Sequence, residues 1–334
     1  MTVLITGGSG FVGLNLCEAL LARGERVVNF SLHPPPGEAA RVFAALPGEF
    51  ISVEGDVTDE GALRDAFGRH APNRLIHAAA ITPGPDHERR SGLQVLRVNT
   101  LGPAAVYETA WRHGVRKIVH LSSGAVYGAN AWAAPELQEN GPLPLPETLY
   151  AVSKYAGERT ALRYKDMWEY DLAVVRLGTL FGPWEYASGA REVLSPPLLA
   201  TRLALAGERI YLSGGGQREW LYTQDMVAGV LAVLDGDSPR HDVYNLGSGM
   251  LWDMAAWCTG LAARLKKCRW KVVENPDKAN VVLYAPTDRA PMAHARLSGE
   301  FGYQPQYGME RAQADFLDWL TRHEGLFADE REMY

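Results

Sequence analysis

Residues 2–30 confine this chain more tightly than any other stretch. Thr2-Val3-Leu4-Ile5-Thr6 is a short β-branched, apolar run with the pattern of a buried strand. It passes directly into Gly7-Gly8-Ser9-Gly10-Phe11-Val12-Gly13. Behind that turn Val12, Leu16, Leu20 and Leu21 mark an amphipathic helix that ends at Arg23-Gly24. A second apolar run, Arg26-Val27-Val28-Asn29-Phe30, follows at once. Strand, glycine turn, helix, strand is a βαβ unit, in which each glycine has its own use. Gly7 permits the tight turn, Gly10 lets backbone N–H groups close on a pyrophosphate, and Gly13 lets the helix lie near the sheet. The positive helix N-terminus adds attraction for phosphate. The unit predicts a dinucleotide-binding turn.

The bulk numbers narrow the remaining choices. At 334 residues the chain suits one large domain or two unequal ones. With 47% hydrophobic and 22% charged residues, neither a disordered nor a membrane class is suggested. Lys+Arg total 33 against 39 Asp+Glu, a net charge of -6 without a basic block, so there is no electrostatic case for nucleic acid or an anionic membrane. Cys17, Cys258 and Cys268 are scattered and lack metal-ligand spacing. They predict reduced thiols, a cytoplasmic location and no metal site. No secretory leader or membrane-spanning run is expected.

Tyr150 and Lys154 lie four residues apart at the start of a predicted helix, which puts both on one face. An ammonium beside a phenol favours the phenolate, whose ordinary pKa is ~10. Taken with the spacing G-x-x-G-x-x-G, this pair resembles the extended short-chain dehydrogenase/reductase family, the NAD-dependent epimerases and dehydratases of sugar nucleotides. The resemblance implies an α/β fold: a Rossmann-type doubly wound parallel sheet with helices on both faces, plus a smaller mixed α/β C-terminal substrate domain. Residues 1–180, with a returning segment near 219–248, would form the cofactor domain. Residues 181–218 and 249–334 would form the substrate domain.

Matched residue by residue, the resemblance assigns cofactor contacts to Gly7, Gly10, Phe11, Val12 and Gly13. It adds Asp56 and Val57 at the adenine edge, as the end of a third strand read over Phe50–Val57, although Asp56 equally suits the cap of the next helix. Arg74–Ala80 reads as the fourth strand, and its small Ala78, Ala79 and Ala80 would let backbone approach the cofactor. Asn99 matches a family asparagine of structural or cofactor-side use. The family usually places an acidic residue on the adenosine ribose, and here that position is Ser31. NAD is the expected cofactor. NADP stays open, because Ser31 or His33 can bond a 2′-phosphate and Arg41 is the nearest arginine.

Ser122-Ser123-Gly124-Ala125-Val126-Tyr127-Gly128 resembles the family's catalytic-serine segment. It selects Ser123 for the chemistry and leaves Ser122 to satisfy backbone groups. Ser123 would orient the substrate oxygen, Tyr150 would act as base, and Lys154 would lower the tyrosine's pKa while bonding cofactor and taking part in its site. Dehydratases of the family tend to carry Thr-Asp-Glu where this chain has Ser123-Gly124-Ala125, so water elimination is disfavoured. Arg218 sits in a segment like the family's phosphate-binding stretch, with a surface salt bridge as the other reading. Tyr222 and Asp225 are expected to anchor the chain and cap the helix Met226–Leu234. Arg289 matches a second phosphate arginine. The family's diphosphate asparagine is missing near residues 184–191, where Arg191 or the Gly189 backbone can substitute, or a plain loop runs.

These expectations describe an NAD(P)-dependent sugar-nucleotide epimerase using Ser123, Tyr150 and Lys154. A dehydrogenase of a free sugar or sugar acid shares the machinery, and a non-catalytic cofactor-binding or redox-sensing protein is the reading from another class. The partner would be a small molecule, a nucleotide sugar or a sugar acid. A homodimer through the Tyr150 helix and the helix before it is the family pattern.

Overall fold

A computed structural model describes residues 1–132, 135–141, 143–283 and 288–327. The strands are β1 (Thr2–Thr6), β2 (Arg26–Ser31), β3 (Glu49–Glu54), β4 (Arg74–His77), β5 (Lys117–Ser123), β6 (Asp171–Leu177) and β7 (Leu180–Phe181). They continue with β8 (Arg209–Ser213), β9 (Arg218–Glu219), β10 (Leu221–Tyr222), β11 (Val243–Leu246), β12 (Leu251–Trp252) and β13 (Arg269–Val273). The helices are α1 (Phe11–Ala22), α2 (Gly37–Phe43), α3 (Glu60–His70), α4 (Pro85–Leu96), α5 (Gly102–Arg112) and α6 (Leu149–Trp168). They continue with α7 (Pro196–Ala206), α8 (Thr223–Asp235), α9 (Met254–Arg264), α10 (Ala295–Phe301) and α11 (Met309–Arg322).

Seven strands form one parallel sheet in the order β11-β6-β5-β4-β1-β2-β3. Strand alternation divides the apolar residues between its faces. Val3 and Ile5 join a core with α1 and α8, whereas Leu4 and Val28 join a second core with α3, α5 and α6. Both faces are therefore covered, as a parallel sheet requires. The strand order reverses between β1 and β4, and the crevice at that switch point is the usual ligand position in such sheets.

Two strands stop short of their expected ends. β3 closes at Glu54 and β4 at His77, which places Asp56-Val57 and Ala78–Ala80 in loops over the crevice. Asp59, and not Asp56, caps α3 by accepting the N–H groups of Gly61 and Ala62. Asp56 instead accepts from Thr58 N and Oγ1, each at 2.8 Å, in a local turn. Likewise Asp225 does not cap α8. It sits in the helix's first turn and accepts N–H bonds from Gln306 and Tyr307 at 2.8 and 2.9 Å, while the Tyr222 hydroxyl donates to Asp315 at 2.6 Å.

The C-terminal half adds the parallel pair β8–β13 and the helices α7, α9 and α11. Trp252 stacks between Trp220 and Trp257 at 5.2 and 5.1 Å, and Phe181 meets all three edge-on. Ala312, Phe316, Leu317 and Leu320 of α11 pack into the same cluster as Val3 and Ile5, so one core runs through both halves. Pro142, Pro286-Thr287 ahead of Arg289, and residues 328–334 of the expected substrate domain lie outside the described residues.

Candidate active site

The glycine turn is shaped by close approach. Gly7 has φ +71°, and a β-carbon there would fall 2.7 Å from Ala79 Cα. A β-carbon on Gly13 would fall 2.3 Å from the Gly7 oxygen, so α1 can press against the turn only with glycine at that place. Three side chains knit the turn to β2. Ser9 N donates to Ser31 Oγ at 3.0 Å, Ser31 Oγ donates to Asn29 Oδ1 at 2.7 Å, and Asn29 Nδ2 donates to Ser9 Oγ at 2.9 Å. The Ser31 proton is thus spent inside the protein. Arg41 is held by Glu38 through bonds of 2.5 and 3.2 Å. His33, the other residue offered for a 2′-phosphate, lines the cavity beside Ser31.

A cavity of about 480 Å³ opens along the carboxyl ends of the strands. Gly7, Gly10, Phe11, Val12 and Gly13 line it at the switch point, with Ser31, Asp56 and Val57 toward β2 and β3. Ala78, Ala79 and Ala80 form the wall beyond β4, and Ser123, Tyr150 and Lys154 lie toward β5 and β6. Arg191, Arg218 and Arg289 also line it. Asn99 does not. It is 2% exposed in the π-helical turn Arg97–Leu101, where its amide bonds both Ile81 N and Ile81 O and donates to Ser153 Oγ at 3.0 Å. It ties the loop after β4 to α6 just before Lys154.

Thr148 starts α6 by accepting the Ala151 N–H, which makes Tyr150 the second residue of the helix. One turn on, Lys154 is 4% exposed and its Nζ donates to Leu121 O at 2.7 Å. Burial pushes its pKa down to about 8, with Glu158 opposing the fall. Behind it, His77 and His120 stack at 5.5 Å and stay neutral; burial, then the Lys154 charge, holds His77 at about 3.

Glu158 extends the Tyr150–Lys154 spacing by another four residues, a repeat visible in the sequence but unread there. Its carboxylate is buried at 1% exposure and accepts from Arg176 Nη2 at 2.6 Å, Arg176 Nε at 3.0 Å and Ser122 Oγ at 3.0 Å. Ser122 therefore serves this carboxylate and not the strand-end backbone groups. Arg176 goes on to Tyr127, and Tyr127 to Asn245. This chain of bonds fixes β5, α6 and β11 together behind Ser123 and Lys154. Ser123 Oγ accepts the Ala125 N–H at 3.1 Å, which leaves its proton for a ligand in the cavity.

Arg289 donates to Gly124 O at 2.8 Å, beside Ser123. Burial lowers the pKa of Arg289, with the nearby Arg218 adding to it, and burial also lowers that of Arg218. Two guanidinium groups kept close together in a cleft lose that repulsion when an anion enters. Arg191 lies elsewhere. Its guanidinium stands 5.0 Å over the Phe11 ring of the glycine turn and donates to the buried Glu185 at 2.7 Å. Trp220, the aromatic of the segment that carries Arg218, lines the cavity too, as do Tyr186 and Thr179, which no motif in the sequence announces. Among the described residues Asp56 is the one carboxylate on the cavity wall, on the side away from Ser123 and Tyr150.

The family model for the NAD dependent epimerase/dehydratase family matches residues 3–247. UDP-glucuronate 4-epimerase 4 of Arabidopsis thaliana is 28% identical, over 97% of this chain and 76% of that protein. A dTDP-glucose 4,6-dehydratase of Streptomyces antibioticus is 30% identical over 96% of this chain and 92% of that protein. In fold, the chain is similar to a UDP-glucose 4-epimerase of Thermotoga maritima solved with UDP-glucose, with a TM-score of 0.79, 22% identity, and coverage of 96% and 99% of the two chains. It is also similar to a UDP-glucuronic acid 4-epimerase of Bacillus cereus solved with UDP-glucuronic acid and NAD, with a TM-score of 0.78, 20% identity, and coverage of 96% and 99%. With its glycine turn at the switch point and the family match spanning most of its length, the chain belongs to the NAD dependent epimerase/dehydratase family.

Proposed function

We propose that this protein is a sugar-nucleotide epimerase that binds NAD and works through Ser123, Tyr150 and Lys154. The observation that carries the reading is the single cavity that joins the glycine turn to these three residues and to Arg218 and Arg289. The residues fit NAD. The turn is open at Gly10, where a β-carbon would meet only Gly7 O at 3.3 Å, and Ser31 and Arg41 are engaged within the protein. Bound there, the nicotinamide supplies a reversible hydride acceptor.

Tyr150 as phenolate takes the proton of a sugar hydroxyl. Ser123 donates a hydrogen bond to that oxygen and fixes its direction. Lys154 follows one turn along α6 as the cation of the set. Arg218 and Arg289 bind the diphosphate of the substrate. Loss of that proton to Tyr150 and of the carbinol hydride to a bound nicotinamide would leave a keto sugar, which would turn in the cavity and take the same hydride back on its other face, with Tyr150 returning the proton.

Dehydration is disfavoured in this reading, although dehydratases are among the relatives. Gly124 and Ala125 follow Ser123, and Asp56 is too far toward β3 to assist water loss among the described residues lining the cavity. Residues 1–180 with about 219–248 serve the cofactor, and residues 181–218 with 249–334 the substrate, a division supported by the return of β11 to the main sheet. A cytoplasmic enzyme agrees with three free, buried cysteines, and no helix among the described residues is long and apolar enough to cross a membrane.

A panel of nucleotide sugars and free sugar acids tests the reading, with 340 nm absorbance and product composition followed together. Interconverted sugar without net NADH is expected. Accumulating NADH would point to a dehydrogenase. Tyr150→Phe should lower turnover roughly 10²- to 10⁴-fold with cofactor still bound; near-normal turnover would remove Tyr150 from the mechanism.

A further inference from the structure

The segment from Trp184 to Ser195 is tied down on three sides across the glycine turn. Trp184 is fully buried at φ +63°, a conformation a bulky residue holds only under outside constraint, and its Nε1 donates to Glu18 of α1 at 2.6 Å. The Tyr186 hydroxyl donates to Ser9 O at 2.7 Å, within the turn itself. Farther along, Thr82 pairs with Arg191 as an isolated parallel bridge, and Glu192 accepts from Gly84 N at 3.0 Å and meets His87 at 2.8 Å. The segment is thereby stretched between α1 and the loop beyond β4, with the glycine turn beneath it.

Arg191 is what this strap carries to the turn. Its guanidinium lies over Phe11, between Gly10 and Gly13 in sequence, and one Nη is anchored on Glu185. Glu185 is itself 1% exposed and takes two further bonds, from Ser195 N at 2.7 Å and Ser195 Oγ at 2.5 Å, so its position is fixed. Arg191 Nε is buried and has no hydrogen-bond partner. A buried, charged donor without an acceptor is costly unless a ligand supplies one. The turn from Gly7 to Gly13 contains no basic residue of its own. Arg289, by contrast, is bonded at Gly124 beside Ser123, on the substrate side.

We propose that Arg191 binds the pyrophosphate of the dinucleotide cofactor, opposite the N-terminus of α1, and does not bind the diphosphate of the substrate. This rests on the reading of the cavity as a dinucleotide site. Glu185 is the positioning residue: it aims the guanidinium fork while leaving Nε for the anion. A bound cofactor then lies between the turn and the strap.

Calorimetric titration of the whole protein with ADP-ribose, and separately with UDP, tests the assignment without relying on catalysis. Arg191→Gln, melting as the wild type does, should bind ADP-ribose roughly 10- to 100-fold more weakly and UDP within about twofold of the wild type. Arg191→Lys should recover part of the loss, because it keeps the charge and loses the fork. Weaker UDP binding with ADP-ribose unchanged would return Arg191 to the substrate side and overturn the proposal. Equal weakening of both, or of neither, overturns it as well. Failure of the wild type to bind ADP-ribose at all is a different result, and counts against the dinucleotide site itself.

Discussion

Lys154→Met should make the protein more stable at neutral pH while removing its activity. An ordinary lysine titrates at 10.5, and burial brings Lys154 to about 8. At ~1.4 kcal/mol per pH unit, keeping this ammonium inside costs the folded state about 3 kcal/mol at pH 7. The folded pKa lies below the unfolded one, so the cost is full below about pH 8 and is relieved as pH rises toward 10.5. In that window the unfolded chain holds more protons and stability rises with pH. Methionine removes the charge but also the bond to Leu121 O, a loss of about 1.5 kcal/mol. The net expectation is a gain of about 1–2 kcal/mol at pH 7 and a comparable loss at pH 10.5, where only the missing bond counts. Urea unfolding of both proteins at the two pH values measures this, since all other titrating groups are common to the pair. If the variant is less stable at pH 7, or the difference is the same at both pH values, the buried ammonium is not the burden described.

Two other results follow from the architecture. Glu158→Leu or Arg176→Met alone should cost about 3–5 kcal/mol, because each leaves a buried charge without its partner, whereas the double variant should recover most of that loss; losses that simply add in the unfolding midpoints would show that the two do not act as a unit. We also propose a homodimer through α5 and α6, where Trp111, Val152 and Met167 are 43%, 41% and 50% exposed and Trp111 stacks on Trp168. Sedimentation should find a dimer that Trp111→Glu with Met167→Glu converts to monomer, and a wild-type monomer would refute the interface.

The local sequence of residues 2–30 was enough to specify the βαβ unit, because strand, turn and helix signals there are all short-range. The same holds for the start of helix α6, whose four-residue spacing brings Tyr150 and Lys154 to the cavity wall. Helix caps were less legible. Asp59 and Asp56 are three residues apart and chemically alike, and only the course of the backbone decides which carboxylate meets the free N–H groups of α3. Asp225 shows the same limit, since the loop at Gln306 and Tyr307 competes for it from far along the chain.

What the sequence by itself determined, then, is a parallel α/β nucleotide-binding unit and the residue types available for its chemistry. The tertiary structure decided which of them meet. Ser31 lines the cavity, but its hydroxyl is engaged by Ser9 and Asn29 once they are folded against it. Arg191 is offered by the sequence for a substrate diphosphate, and folding brings it over Phe11, 180 positions away in the chain. Glu158 has no assigned role until Arg176 and Ser122 close on it. In each case the partner is distant in sequence, and hydrogen-bond demand in a buried site, which no local pattern records, selects it.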